Sequence, residues 1–104
     1  MAVVTQEEID ATQNTSASVS GTEGEIIQSR LGKKRRTALV VTPVTAGVVV
    51  YLSLGDQIAA LDKGIVLLTN QPMQDSDNGD YKCYQGAVRA IASGNGTVAI
   101  TEKF

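Results

Sequence analysis

The chain has 104 residues, of which 42% are hydrophobic and 4% aromatic, and it contains no histidine, no tryptophan and one cysteine. These absences exclude a Ser-His-Asp triad, a Cys-His pair and a His-ligated metal site, and one cysteine can close neither an intrachain disulfide nor a cysteine-only zinc site. The net charge of −2 and the pI of about 4.9 argue against nucleic acid or an anionic membrane as the main partner.

The first residues lack the features of a targeting segment. Glu7 and Glu8 stand where a signal peptide needs positive charge followed by an apolar run. The longest apolar stretches, 46–54 and 64–68, are far shorter than the ~20 residues of a membrane-spanning helix. We therefore expect a soluble product made in the cytoplasm, with no membrane partner.

Residues 1–35 are predicted to form an extended, largely irregular N-terminal arm. Residues 1–32 are rich in Thr, Ser, Gln, Asn and Gly, and a segment as polar as 12–24 buries too little apolar area to offset the entropy lost on ordering. We expect this segment to order only against a partner. The arm's candidate anchors are its sparse large aliphatic side chains, Ile9, Val19, Ile26, Ile27 and Leu31.

Two short segments of the arm match helix patterns. Thr5 to Glu8 has the Thr-x-x-Glu spacing of a capping box, although few apolar residues follow it. Glu25 to Gly32 would make two turns ended by the glycine, with Ile27 and Leu31 on one side.

The densest charge of the chain lies at the junction between the arm and the rest. Three interpretations stay open: a solvated start of the first strand, where charge blunts edge pairing, an electrostatic anchor for an acidic protein surface, or a nucleic-acid contact. The run lacks interleaved aromatic residues and follows an acidic arm, which disfavours nucleic acid. The candidate interface residues of this run are Lys33, Lys34, Arg35 and Arg36.

Residues 36–104 are predicted to form an all-β domain, a small antiparallel β-sandwich or barrel of the jelly-roll kind with five or six strands. A strand over 36–42 should stop at Pro43, which cannot donate to a ladder. The alternation in 46–54 predicts a strand with two distinct faces. Those faces are Val48, Val50, Leu52 and Leu54 on one side and Val49, Tyr51 and Ser53 on the other.

The remaining elements follow from runs of apolar residues and turn signals. Residues 64–69 are apolar on both faces, which predicts a strand buried from two sides. A polar loop should span 71–80, and further strands are expected at 81–84, 87–92 and 97–102. The Ser-Gly-Asn-Gly turn at 93–96 predicts a hairpin between the last two strands.

No catalytic constellation is visible in the sequence. The acidic run from Asp75 to Asp80 fails as a helix-flanked calcium loop, because Gly79 is fifth and the twelfth residue is Gly86. An acidic turn is the favoured interpretation, and the alternative is a metal-dependent protein with Asp75, Asp77 and Asp80 as ligands. Cys83 has no histidine to activate it. We therefore expect no enzymatic activity and no cofactor.

The segments 36–43, 48–55, 64–67 and 84–102, apolar strands separated by glycine turns, resemble a recurrent small β-domain of tailed-bacteriophage structural proteins. Such domains decorate heads or form modules of head fibres and tails. The resemblance implies a β-sandwich on the virion and supplies no catalytic residue.

A single domain with a polar arm is the anatomy expected of a capsid decoration, or cement, protein. A ~30-residue arm, fully extended, reaches roughly 100 Å and so could touch several shell subunits. The expected partners are the major capsid protein of a tailed phage, on the capsid exterior, and the chain itself as a dimer or trimer. The alternatives are a head-fibre or tail-associated module that binds a receptor or glycan, and a non-viral adaptor whose basic run meets nucleic acid.

Overall fold

The computed structural model describes residues 12–55 and 57–104, and every regular element within them is a β-strand. None of the described residues lies in a helix long and apolar enough to cross a membrane. The eight strands are β1 (Thr12–Val19), β2 (Gly24–Ile27), β3 (Ala38–Pro43), β4 (Val50–Leu54), β5 (Ile65–Leu67), β6 (Met73–Ser76), β7 (Val88–Ala92) and β8 (Gly96–Lys103).

The strands form two antiparallel sheets of four strands each. The first sheet has the order β1-β8-β3-β6, and the second sheet has the order β2-β7-β4-β5. Alternate side chains of both sheets point inward and form one apolar core, because successive residues of a strand face opposite sides. The prediction of a small all-β antiparallel sandwich is thus confirmed. The largest fully buried apolar side chains are Leu39, Val41, Val50, Leu52, Val88 and Val98.

The segment predicted as an irregular arm supplies an edge strand to each sheet. β1 pairs with β8 over its whole length, from Thr12 opposite Lys103 to Val19 opposite Gly96. The expectation that residues 12–24 order only against a partner is therefore wrong. An edge strand needs few apolar side chains, since its backbone bonds to one neighbour and most of its side chains stay in water. The sandwich accordingly begins before residue 36.

The predicted helix over 25–32 is also wrong, because its first residues form β2. Gly24 lies opposite Ala90 and Ile27 opposite Val88 of β7, with a register shift in between. Burial of the Ile27 side chain in the core decides against a free-standing two-turn helix. The other helix pattern, Thr5 to Glu8, lies outside the described residues.

The glycine turn at 93–96 connects two sheets and is not a hairpin. β7 lies between β2 and β4 in the second sheet, whereas β8 lies between β1 and β3 in the first. The Thr97 amide donates to Thr45 Oγ1 at 3.0 Å, which joins the start of β8 to the segment that follows β3. Glycine-rich turns occur both in hairpins and in connections between two sheets, so the turn sequence does not determine which strands pair.

The region between 64 and 84 differs from prediction in three places. β5 is an edge strand whose Val66 is 47% exposed, so it is not buried from both sides. The predicted loop 71–80 contains β6, which pairs with β3. The predicted strand at 81–84 makes only an isolated bridge between Asn78 and Tyr81.

Candidate functional site

The predicted interface anchors of the arm do not lie on one surface. Val19 and Ile27 belong to the core, and Ile26 packs partly buried against it. Leu31 is 73% exposed in the connection between β2 and β3. Ile9 lies outside the described residues. Val19 and Ile27 are therefore corrected from partner anchors to core residues, because each faces the inside of the sandwich.

The basic run is divided between solvent and the protein interior. Lys33 and Lys34 are exposed, as expected of a solvated or partner-facing segment. Arg35 forms an ion pair with Asp77 at the surface. Arg36 is 0% exposed, so its assignment as an interface residue is wrong. A buried guanidinium requires a compensating charge, and Glu102 of β8 supplies it.

Glu102 binds two arginines at one end of the sandwich. Arg30 donates to both carboxylate oxygens, from Nε at 3.0 Å and from Nη2 at 2.8 Å, in the fork geometry typical of this pair. Arg36 donates from Nε to Oε2 at 3.0 Å. The Arg30 guanidinium also lies 4.7 Å from the centre of the Phe104 ring, a cation–π distance. This cluster joins the β2–β3 connection to the end of β8.

The remaining donors of Arg36 bind backbone carbonyls. Nη1 donates to the carbonyl of Tyr84 at 2.7 Å, and Nη2 donates to that of Gln28 at 3.2 Å. Gln85 completes the cluster, because its side chain accepts from the Arg36 amide and donates to the Arg36 carbonyl. Arg36 is therefore a structural crosslink between β8, the β2–β3 connection and the β6–β7 connection.

The pKa of Glu102 reflects this environment. Burial alone raises the pKa of the carboxyl, but the hydrogen bonds and charges of Arg30 and Arg36 outweigh burial and hold the pKa below its usual value. The ion-pair partners Arg89 and Arg35 likewise lower the pKa values of Glu23 and Asp77. All three carboxylates favour the folded state when they are charged.

We expect stability to fall on acidification but to stay nearly constant from about pH 6 to 8. A carboxyl whose pKa is lowered by folding stabilises the protein above its unfolded pKa, about 4.3 for glutamate, and loses that effect as the pH falls through its folded pKa. The chain has no histidine to titrate near neutrality. Urea unfolding at a series of pH values measures this dependence, and a midpoint unchanged from pH 7 to about pH 3 would contradict it.

The acidic run of 75–80 uses its first two carboxylates to stabilise its own loop. Asp75 accepts hydrogen bonds from the Tyr84 amide at 2.8 Å and from the Tyr81 hydroxyl at 2.6 Å. Asp77 accepts from the Cys83 amide at 2.9 Å, besides its ion pair with Arg35. Among residues 12–55 and 57–104, no group of three acidic, cysteine or histidine side chains is placed to hold a metal ion.

Cys83 is a buried core residue. Burial, followed by the negative charge of Asp75, raises the pKa of the thiol to about 11. The thiolate is the nucleophilic form, so at neutral pH this side chain stays protonated and behaves as a small apolar group.

The outer side of the second sheet carries several exposed apolar side chains. Tyr51 and Ser53 point outward from β4, opposite to the buried Val50 and Leu52, as the alternation predicted. Tyr51 is paired with the exposed Val66 on β5. Leu68, just beyond β5, is 55% exposed. These side chains lie side by side because neighbouring residues on one sheet face are about 5 Å apart.

The β4–β5 connection folds over this same side and extends the apolar surface. The Ser53 hydroxyl donates to the carbonyl of Gln57 at 2.8 Å, and the Tyr51 hydroxyl donates to Asp62 Oδ1 at 3.3 Å. Ile58, within this connection, is 70% exposed. We call the resulting surface the apolar face, and it consists of the half-buried Tyr51 and the exposed Ile58, Leu61, Val66 and Leu68.

Sequence reasoning missed most of the apolar face, because a short apolar run is compatible with burial on both sides. The length of the run carried a signal, since a three-residue strand such as β5 is typical of a sheet edge.

Scans against family models, curated proteins and solved structures find nothing that matches this chain.

Proposed function

We propose that this chain is a structural virion protein that binds the outside of a phage head and cements neighbouring major capsid subunits. The observation that carries the proposal is the apolar face. Neighbouring exposed apolar side chains on one side of a protein often mark a surface that binds a partner. The resemblance of the strand segments to phage β-domains supports a virion partner. The proposed role is non-enzymatic and needs no cofactor or nucleic acid.

Burial of the apolar face supplies the binding free energy in this proposal. Ile58 is 70% exposed and Leu68 is 55% exposed, so covering each against a shell subunit contributes on the order of 1 kcal/mol. Several such side chains give a modest affinity per copy. Self-association of the domain would then multiply the effect, because linked sites bind at high effective concentration.

Four of the predicted interface residues are exposed, namely Leu31, Lys33, Lys34 and Arg35, and the Arg35 guanidinium is paired with Asp77. They lie together in the β2–β3 connection, next to the buried Arg36 that holds this connection in place. Exposed lysines speed and orient association with an acidic surface more than they strengthen it. In this proposal Lys33 and Lys34 orient the protein on carboxylates of the shell, and the apolar face supplies the affinity.

The second candidate function is a head-fibre or tail-associated module that binds a receptor or glycan. Its supporting observation is Tyr81, which is exposed at the tip of the acidic loop with its hydroxyl fixed by Asp75. A tyrosine ring held in this way can stack against the apolar side of a sugar.

Copy number in purified particles tests the proposal against its rival. Quantitative mass spectrometry gives the ratio of this chain to the major shell subunit. A ratio near one, or a simple fraction of it, is expected for a decoration protein spread over the lattice. A handful of copies would favour the fibre or tail module, and absence from particles would overturn both.

Charged substitutions on the apolar face are expected to weaken binding to particles roughly tenfold or more, because a carboxylate buried there loses its hydration. The variants are Val66→Asp and Ile58→Asp. The matched control is Ala99→Asp, since Ala99 is exposed on the outer side of the first sheet. Co-sedimentation with particles that lack the protein measures the affinity. Equal binding by all three variants would remove the apolar face from the proposal.

A further inference from the structure

Among the residues that the structure describes, no strand pairs with the outer edge of β1, the longest edge strand of the sandwich. β1 has eight residues, and within the described part of the chain its backbone ladder is with β8 alone. Residues 12–16 are all exposed. A free strand edge presents a row of unpaired amide and carbonyl groups, which is a template for another strand.

The other three edges carry features that discourage pairing. β5 has three residues, and β2 has four with a register shift between Glu25 and Ile27. β6 has four residues, contains Asp75 and is followed by the Arg35–Asp77 ion pair. Short length, irregular register and charge are the usual protections of an edge. β1 has none of them, because its register is continuous and no residue from Thr12 to Val19 is charged.

We propose that β1 is a homodimer surface, at which two copies of this chain pair their β1 strands antiparallel and join their first sheets into one sheet of eight strands. A twofold axis perpendicular to the sheet makes the two strands antiparallel and keeps inward-facing residues inward. Opposite residues must therefore share a face. A pairing centred on Ser16 satisfies this condition. Ser16 of one copy then lies opposite Ser16 of the other copy, and Thr15 lies opposite Ala17 of the other copy.

The chemistry of β1 favours a second copy as the occupant. The chain has a net charge of −2, so a strand without charge is a place where two copies meet with no like charges opposed. The hydroxyl and amide side chains of Asn14, Ser16 and Ser18 lie on its outer face and are compatible with the same side chains across the axis.

The second strand would also cover a cleft beside β1. This cleft has a volume of about 400 Å³ and lies between β1 and β2, with Thr15 and Gln13 on one side and Ile26 on the other. Inward-facing side chains of the added strand would lie over it and reduce the exposure of Ile26. Backbone pairing and this apolar contact act together at one edge.

Sedimentation velocity over a wide concentration range tests the inference on the isolated protein, so its failure is distinct from failure of the proposed capsid role. The wild type is expected to be a dimer, and Ser16→Lys to dimerise at least roughly tenfold more weakly, because two lysines would face each other at the axis. The matched control Gln74→Lys places the same charge on the exposed outer face of β6, at the opposite edge of the same sheet. It should dimerise like the wild type.

A charge-pairing experiment separates direct contact from a general loss of folding. Ser16→Lys and Ser16→Glu should each be mainly monomeric, and their equimolar mixture should recover the dimer, since opposite charges then meet across the axis. A monomeric wild type would overturn the inference. So would equal dimerisation by Ser16→Lys and Gln74→Lys, or a mixture that stays monomeric while both variants retain the wild-type circular dichroism spectrum.

Discussion

Replacing Glu102 with glutamine is expected to lower the free energy of unfolding by about 3–5 kcal/mol. The substitution keeps the size of the side chain but removes the charge that compensates Arg36, which is 0% exposed, and Arg30. A buried cation without a partner is among the costliest defects in a protein interior, whereas the intact pair is close to neutral. Urea unfolding followed by circular dichroism measures the loss.

The control for this prediction is Arg35→Gln. It removes an ion pair from the residue next to Arg36, but both partners of that pair are substantially exposed to water. Exposed pairs contribute little to stability because water screens them, so this variant should unfold close to the wild type. Similar losses for Glu102→Gln and Arg35→Gln would contradict the structural role of the buried cluster.

Replacing Gly64 with alanine is expected to destabilise the protein by about 2–4 kcal/mol. Gly64 has a φ of +81°, and a Cβ placed on it would lie 2.3 Å from the carbonyl oxygen of Leu52. Backbone strain and a clash with the neighbouring strand therefore act together. Because Gly64 leads into β5, the variant should also disturb the apolar face and weaken particle binding.

Gly47→Ala is the matched control, because it separates strain from the clash. Gly47 has a similar φ of +75°, but a Cβ there meets nothing within 4 Å. Its replacement should cost only the left-handed backbone penalty, about 1–2 kcal/mol. Thermal unfolding compares the two variants. Equal losses would show that the Leu52 carbonyl moves away freely and that contact with β4 is unimportant at this position.

Local patterns account for the features of the fold that the sequence predicted. Alternation in β4 placed Val50 and Leu52 inside and Tyr51 outside, and Pro43 ended β3 because it cannot donate to a ladder. Both depend on a few neighbouring residues. The all-β class follows from the same short-range signals, repeated along residues 36–104.

The candidate site was only partly predictable, because exposure depends on what lies beside a strand. Leu31, Lys33, Lys34 and Arg35 are predicted to contact a partner and lie on the surface, whereas Val19 and Ile27, predicted as anchors together with Leu31, face the core. The total apolar content of residues 12–24 predicts that they do not fold without a partner. In β1 and β2, a few inward side chains and pairing with β8 and β7 were sufficient.

The sequence by itself determined where β3, β4, β5, β7 and β8 form and how the side chains of β4 alternate, since these depend on residues close together in the chain. It did not reveal β1, β2 and β6, whose few apolar residues form strands only beside their neighbours. Only the tertiary structure decided which strands are neighbours. It placed β7 and β8 in different sheets, left β5 at an edge with Val66 exposed, and brought Glu102 to Arg36 across 66 positions. Such contacts depend on how the two sheets pack their inward-facing side chains against each other, and no local sequence pattern determines that packing.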